Sequence, residues 1–248
     1  MFNKIFEKLT GVKPTPKKRP ELDAIDQGMA NAIKKQSQVD PLIGAKIGAK
    51  EVFNRLANAM ERDGRVHIES LLCALGALTG YSCQAGLRAQ AHILEVPEDS
   101  AFNVVGTTDG KKYFFGDLLN QAIVGAEYSV WALAGGAAQG AGATELPDLD
   151  EIFGYNASVL GSEQFGIPRI PADHMAAILP LDYLKTLWPV LLPTVQRYCP
   201  NPTHWQILYG LAVQTAITEG RNVINPSVAL RIIMECAIPM SKVDLANA

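Results

Sequence analysis

Phe102-Asn-Val-Val-Gly-Thr-Thr108 and Lys111-Lys-Tyr-Phe-Phe115, joined through Asp109-Gly110, are the stretch around which the chain reads as organised. Both runs are rich in Val, Thr, Tyr and Phe, which favour extended backbone. Asp-Gly between two such runs predicts a hairpin closed by a type I′ turn, whose two central residues need φ > 0. A two-stranded ribbon is marginal alone in water, so it is expected to lie on helices. Gly116 breaks the strand, and Asp117 is placed to cap a helix in which Leu119, Ile123, Ala126, Val130 and Leu133 recur at helical spacing. Beyond Glu127 that helix carries almost no charge, and it runs into Gly135-Gly-Ala-Ala-Gln-Gly-Ala-Gly-Ala143. Burial at the centre of the fold, followed by fraying, is expected.

Working outward, 248 residues with 48% apolar content supply a core large enough for one domain. Charged residues make up 19%, which argues against disorder beyond the first twenty residues, and the net charge of −3 gives no field for nucleic acid. Cys73, Cys83, Cys199 and Cys236 show no paired metal spacing and are too sparse for a disulfide scaffold, so reduced thiols in a cytoplasmic setting are expected. No apolar signal-peptide core opens the chain. The Ala- and Gly-rich run Ile123–Ala143 is too weakly apolar for a membrane span.

Met1–Gly11 places Phe2, Ile5, Phe6 and Leu9 on one helical face, ahead of the basic, Pro-rich linker Lys13–Pro20. Such a helix suits a partner's groove or a membrane surface. Helices are expected over 21–36 and 41–62, the latter ended by Asp63-Gly64. An apolar run at 68–78 reads as interrupted by Gly80–Gly86 before a further helix to Glu95. Pro189 is expected to stop or kink a helix begun at Leu181. Thr203-His-Trp-Gln206 reads as a capping box, and Asn225-Pro226 opens a last helix. Thr144–Pro171 shows few helix signals, and Gly154, Gly161 and Gly166 permit movement, so this long connection is the expected location of a site.

The glycine run at 135–142 lacks the lysine and spacing of a phosphate loop. Asp148-x-Asp150 starts like a calcium loop, but Ile152 and Val159 stand where ligands belong and the required glycine is missing. His67, His92, His174 and His204 have no zinc spacing, so no cofactor or metal is expected. Cys83, read as opening a helix, gains thiolate character from the helix dipole; His174 would then serve as its base, oriented by Asp173. Trp131, Trp188, Trp205, Tyr183, Tyr198 and Tyr209 line a pocket only if their helices converge.

The expected architecture is mainly α: a single multi-helix domain over 21–248 with one β-hairpin at about 102–115, after an N-terminal helix and linker at 1–20. With no catalytic motif matched, the leading expectation is a soluble, non-catalytic binding or adaptor protein with a protein partner. The first alternative is a thiol-dependent hydrolase or transferase with its cleft under the 144–171 loop. The second is peripheral membrane attachment through Phe2, Ile5, Phe6 and Leu9. Periodicity leaves open whether the Ala/Gly-rich helix at 117–140 packs within one chain or between copies in a homo-oligomer.

Overall fold

Ser70 to Gln84 is buried at every position, so over about four helical turns no side of this segment meets water. It belongs to one unbroken helix, Ile68–Ile93, and that helix, rather than the 102–142 stretch, is the centre of the fold. The computed structural model describes residues 20–95, 97, 101–108 and 110–246; Met1–Arg19, with Phe2, Ile5, Phe6 and Leu9, and Asp109 lie outside the described residues.

In chain order the helices are α1 (Pro20–Gln36), α2 (Ile43–Met60), α3 (Ile68–Ile93), α4 (Asp117–Asn120), α5 (Val130–Gly140), α6 (Leu149–Ser158), α7 (Pro180–Tyr198), α8 (Trp205–Gly220) and α9 (Pro226–Met240). Two antiparallel ribbons accompany them, β1 (Glu61–Arg62) with β2 (Arg65–Val66) and β3 (Asn103–Gly106) with β4 (Lys112–Phe115). The protein is therefore mainly α. Among the described residues no helix is long and apolar enough to cross a membrane.

Gly80 and its neighbours do not interrupt α3, because they serve its packing on α9. A Cβ on Gly76 would stand 2.9 Å from the Ile233 carbonyl oxygen, and one on Gly80 would collide with the Ala237 backbone. Missing side chains let the two backbones approach, and the gain in contact outweighs the low helix propensity of glycine. Outside this pair, α8 packs on α3, α2 and α5, and α7 covers α3 and α2. Pro189 and Pro193 do not end α7, which continues to Tyr198. Both prolines are exposed, so the carbonyls that lose a partner lie on the watered face. Leu184, Leu187, Leu191 and Val195 on the other face are buried to within 1%.

The long helix expected from Asp117 is broken. A π-helical turn at Gln121–Gly125 follows α4, Ala126 is extended, and the Ser129 hydroxyl accepts from Ala132 N–H at 3.2 Å to start α5. The acidic start of the 144–171 connection is also helical: Asp148 Oδ1 accepts from Glu151 N–H at 3.1 Å and caps α6. Asp150 and Glu151 then occupy its first turn, where the helix dipole favours them. Asn201, not Thr203, accepts from the backbone ahead of α8, through a short 3₁₀ turn.

The β3–β4 hairpin forms at 103–115 with Asn103 opposite Phe115 and Gly106 opposite Lys112. Its loop is longer than a two-residue turn: Thr107 N–H donates to Lys111 O at 2.9 Å, and Gly110 holds the left-handed position at φ +86°. The two-residue turn occurs instead at Asp63 (φ 51°) and Gly64 (φ 75°), where Asp-Gly links β1 to β2. Phe102 and Phe114 pack edge to face on one side of the larger hairpin, and Tyr113 is buried against Phe165 on the other. Beyond α9 the chain joins its edge: Phe114 N–H donates to Lys242 O at 2.8 Å, and Tyr113 pairs with Val243.

Candidate functional site

That edge pairing fixes the backbone of Lys242, whose N–H also donates to Pro239 O at 3.0 Å, and directs its side chain inward. Only 4% of the residue is exposed. The ammonium nitrogen stands 3.4 Å from Asn120 Oδ1, 5.2 Å from the centre of the Phe115 ring and 5.9 Å from that of Phe153. Among the described residues no carboxylate forms an ion pair with it. Burial, opposed only by the nearby Cys83, lowers the Lys242 pKa to about 8.

Lys242 and Asn120 help to line a chamber of ≈ 350 Å³ whose other walls come from four parts of the chain. Phe115 comes from the hairpin, Phe153 and Ala157 from α6, Leu160 and Phe165 from the segment after it, and Ile238 from α9. Its size falls within the range of small-molecule sites, about 300–1,000 Å³. Phe165 also borders a second cavity of ≈ 220 Å³, under residues 162–167, which Lys112, Tyr113 and Met240 help to enclose. Tyr113 and Phe165 meet edge to face at 4.9 Å between the two spaces. Gly161 (φ 78°) and Gly166 (φ 81°) bracket the turn that carries Phe165.

No family model, curated protein or solved structure matches this chain.

Cys83 and His174 are not brought together. Cys83 lies inside α3, not at a helix start; its thiol is fully buried, donates to Thr79 O at 3.4 Å, and is pushed up to about 12 by that burial. His174 Nδ1 instead meets Glu69 Oε1 at 3.2 Å, and Asp173, largely in solvent, stands 3.9 Å from its other ring nitrogen. Glu69 and Cys83 are fourteen residues apart on α3, which is roughly 21 Å along the axis. The burial that raises the thiol removes the thiolate the proposed mechanism needs, and the helix separates nucleophile from base. Cys83 does lie near Lys242.

The aromatic residues converge on packing. Trp188 meets Tyr81 at 4.8 Å, Tyr209 at 6.0 Å and Trp205 at 6.1 Å inside the core. Among the described residues no group of three His, Cys, Asp or Glu side chains is placed to hold a metal ion.

A second buried charge holds the 144–171 connection down. Glu235 of α9 accepts from Arg169 N–H at 3.2 Å and from its guanidinium at 3.1 Å, with Arg231 3.6 Å away. Arg169 also reaches Glu151 at 2.7 Å and lies over the Tyr155 ring at 3.9 Å. Burial outweighs the two guanidiniums and moves the Glu235 carboxyl above its ordinary range. This cluster is a clasp because Arg169 ties the connection to Glu151 of α6 and Glu235 of α9, although its Nε is buried without a hydrogen-bond partner among the described residues.

Sequence reasoning missed Lys242, Asn120 and Phe153. The available signal was a lone lysine in the apolar run Ala237–Val243, directly after the last helix.

Proposed function

We propose that the protein is a non-catalytic binding protein whose site is the Lys242 chamber and whose ligand is a small apolar molecule ending in a carboxylate. The supporting observation is a lysine 96% removed from water, facing an apolar chamber with no ion-pair partner among the described residues. Taking a cation out of water costs several kcal/mol unless an anion and hydrogen bonds compensate it. A ligand carboxylate beside Nζ offsets that cost, with the Asn120 carboxamide completing the polar end and the rings of Phe115, Phe153 and Phe165 receiving the tail. Tail burial contributes about 0.8 kcal/mol per methylene.

Calorimetric titration with octanoate and octanol at pH 7 tests the assignment. Octanoate is expected to bind, and octanol to bind at least roughly tenfold more weakly, because it leaves the cation unpaired. Lys242→Met is expected to erase the difference. Bound carboxylate restores the lysine's proton affinity, so octanoate affinity should fall by up to about tenfold per pH unit above pH 8. Equal binding of the acid and the alcohol would remove Lys242 from recognition.

A further inference from the structure

The same amine has a second chemistry, because a buried lysine nitrogen is a nucleophile whenever it has lost its proton. We infer that Lys242 captures apolar aldehydes, holding them as an imine in the chamber bounded by Phe115, Phe153 and Phe165. The inference rests on the chamber being a ligand site, but not on the ligand being an acid.

The balance is simple. The nitrogen lone pair attacks the carbonyl carbon and forms the C–N bond, while the carbonyl oxygen becomes a hydroxyl by taking a proton. The nitrogen gives up its two protons in all, and the oxygen leaves as water. R–CHO and Lys–NH₂ thus yield R–CH=N–Lys and H₂O, with no oxidant or reductant.

Placement favours this lysine over others in the chain. Lys242 is one of the residues lining the chamber, and its Nζ stands 3.4 Å from Asn120 Oδ1, an acceptor that can hold an amine proton as the carbinolamine forms. From α3 the titratable group acting on Lys242 is Cys83, whose buried thiol stays protonated and neither pairs with the ammonium nor competes for the aldehyde. Asp244, two residues on, pairs with Arg88 at 3.4 Å. The faces of Phe115 and Phe153 favour the ammonium, but over 5 Å away they do not replace its hydration. Apolar walls also slow the return of water, which hydrolyses the imine.

An ordinary lysine titrates near 10.4, so at pH 7.5 an amine held at about 8 is neutral roughly a hundred times more often. A less basic nitrogen is also a weaker nucleophile, which takes back part of that advantage.

The test incubates the full chain with octanal and sodium cyanoborohydride at pH 7.5, then maps the reduced adducts by peptide mass spectrometry. Lys242 is expected to be alkylated roughly tenfold faster than exposed Lys50 and Lys185. Phe153→Trp, which narrows the chamber and keeps the amine, is expected to slow alkylation at Lys242 alone. Alkylation of Lys242 no faster than of Lys50 and Lys185, or unchanged by Phe153→Trp, overturns capture. Octanoate binding without a Lys242 adduct overturns capture and leaves the acid-binding proposal standing. An adduct without octanoate binding supports capture and overturns that proposal, and the absence of both overturns the two together.

Discussion

Glu235 and Lys242 lie seven residues apart at one end of the molecule, and both are almost wholly buried, yet their surroundings are opposite. Glu235 meets two guanidiniums and a backbone N–H, all supplied by the chain. Lys242 meets a carboxamide oxygen at 3.4 Å and two aromatic faces, and opens onto a chamber. A buried charge paired within the chain ties elements together as a fastening even where its own burial is not fully offset. One left to face a chamber lowers stability and becomes intelligible only when something else completes it.

The largest effect is expected from undoing the fastening. Arg169→Ala removes the main partner of Glu235 and should cost about 3 kcal/mol at pH 7, read by urea denaturation. Loss of the arginine moves the Glu235 pKa further above its unfolded value, so the penalty is largest above that raised pKa and shrinks as pH falls through it. Measured at pH 5, the deficit should be smaller. A loss below about 1 kcal/mol at both pH values would mean that the cluster is no fastening, and the contrast with Lys242 would fail.

Lys242→Met should act in the opposite direction. The folded pKa of about 8 lies below the ordinary value of 10.5, so the wild-type unfolded chain binds more protons between those limits and stability rises with pH across them. At pH 7 the full penalty is present, and methionine, which fills similar space, should raise stability by at most about 3 kcal/mol. By pH 10.5 the gain should have largely disappeared. A variant that is more stable and no longer distinguishes acid from alcohol is the signature of a functional group. A destabilised variant would make Lys242 a fastening like Glu235.

Much of the fold was legible because it depends on local chemistry. The hairpin at 103–115 and the capping of α9 by Asn225 follow from turn and capping residues. Errors arose where one local signal has two uses. Asp148 and Asp150 suit a solvated loop or a helix start, and the chain uses them for the latter. Gly80 suits a break or a close helix crossing, and only the approach of Ala237 decides between them. The site was illegible for a stronger reason. The burial of Lys242 depends on segments near 115, 120, 153 and 238 arriving at one point, and nothing local to Ser241-Lys242-Val243 encodes that convergence.

The smallest effect sharpens the contrast from the side of the fastening. Glu151 is half exposed, although its 2.7 Å contact with Arg169 is shorter than the 3.1 Å contact between Arg169 and Glu235. If distance governed, Glu151→Gln would be the more damaging change. Water already solvates the Glu151 carboxylate, however, and exposed ion pairs contribute about 0–1 kcal/mol. Glu151→Gln should therefore cost no more than about 0.5 kcal/mol, and 1 M salt should remove most of that. A cost matching that of Arg169→Ala would show the cluster acting as one coupled unit, in which burial does not rank its members. The small value instead makes desolvation the quantity that distinguishes these charges, the same quantity that singles out Lys242.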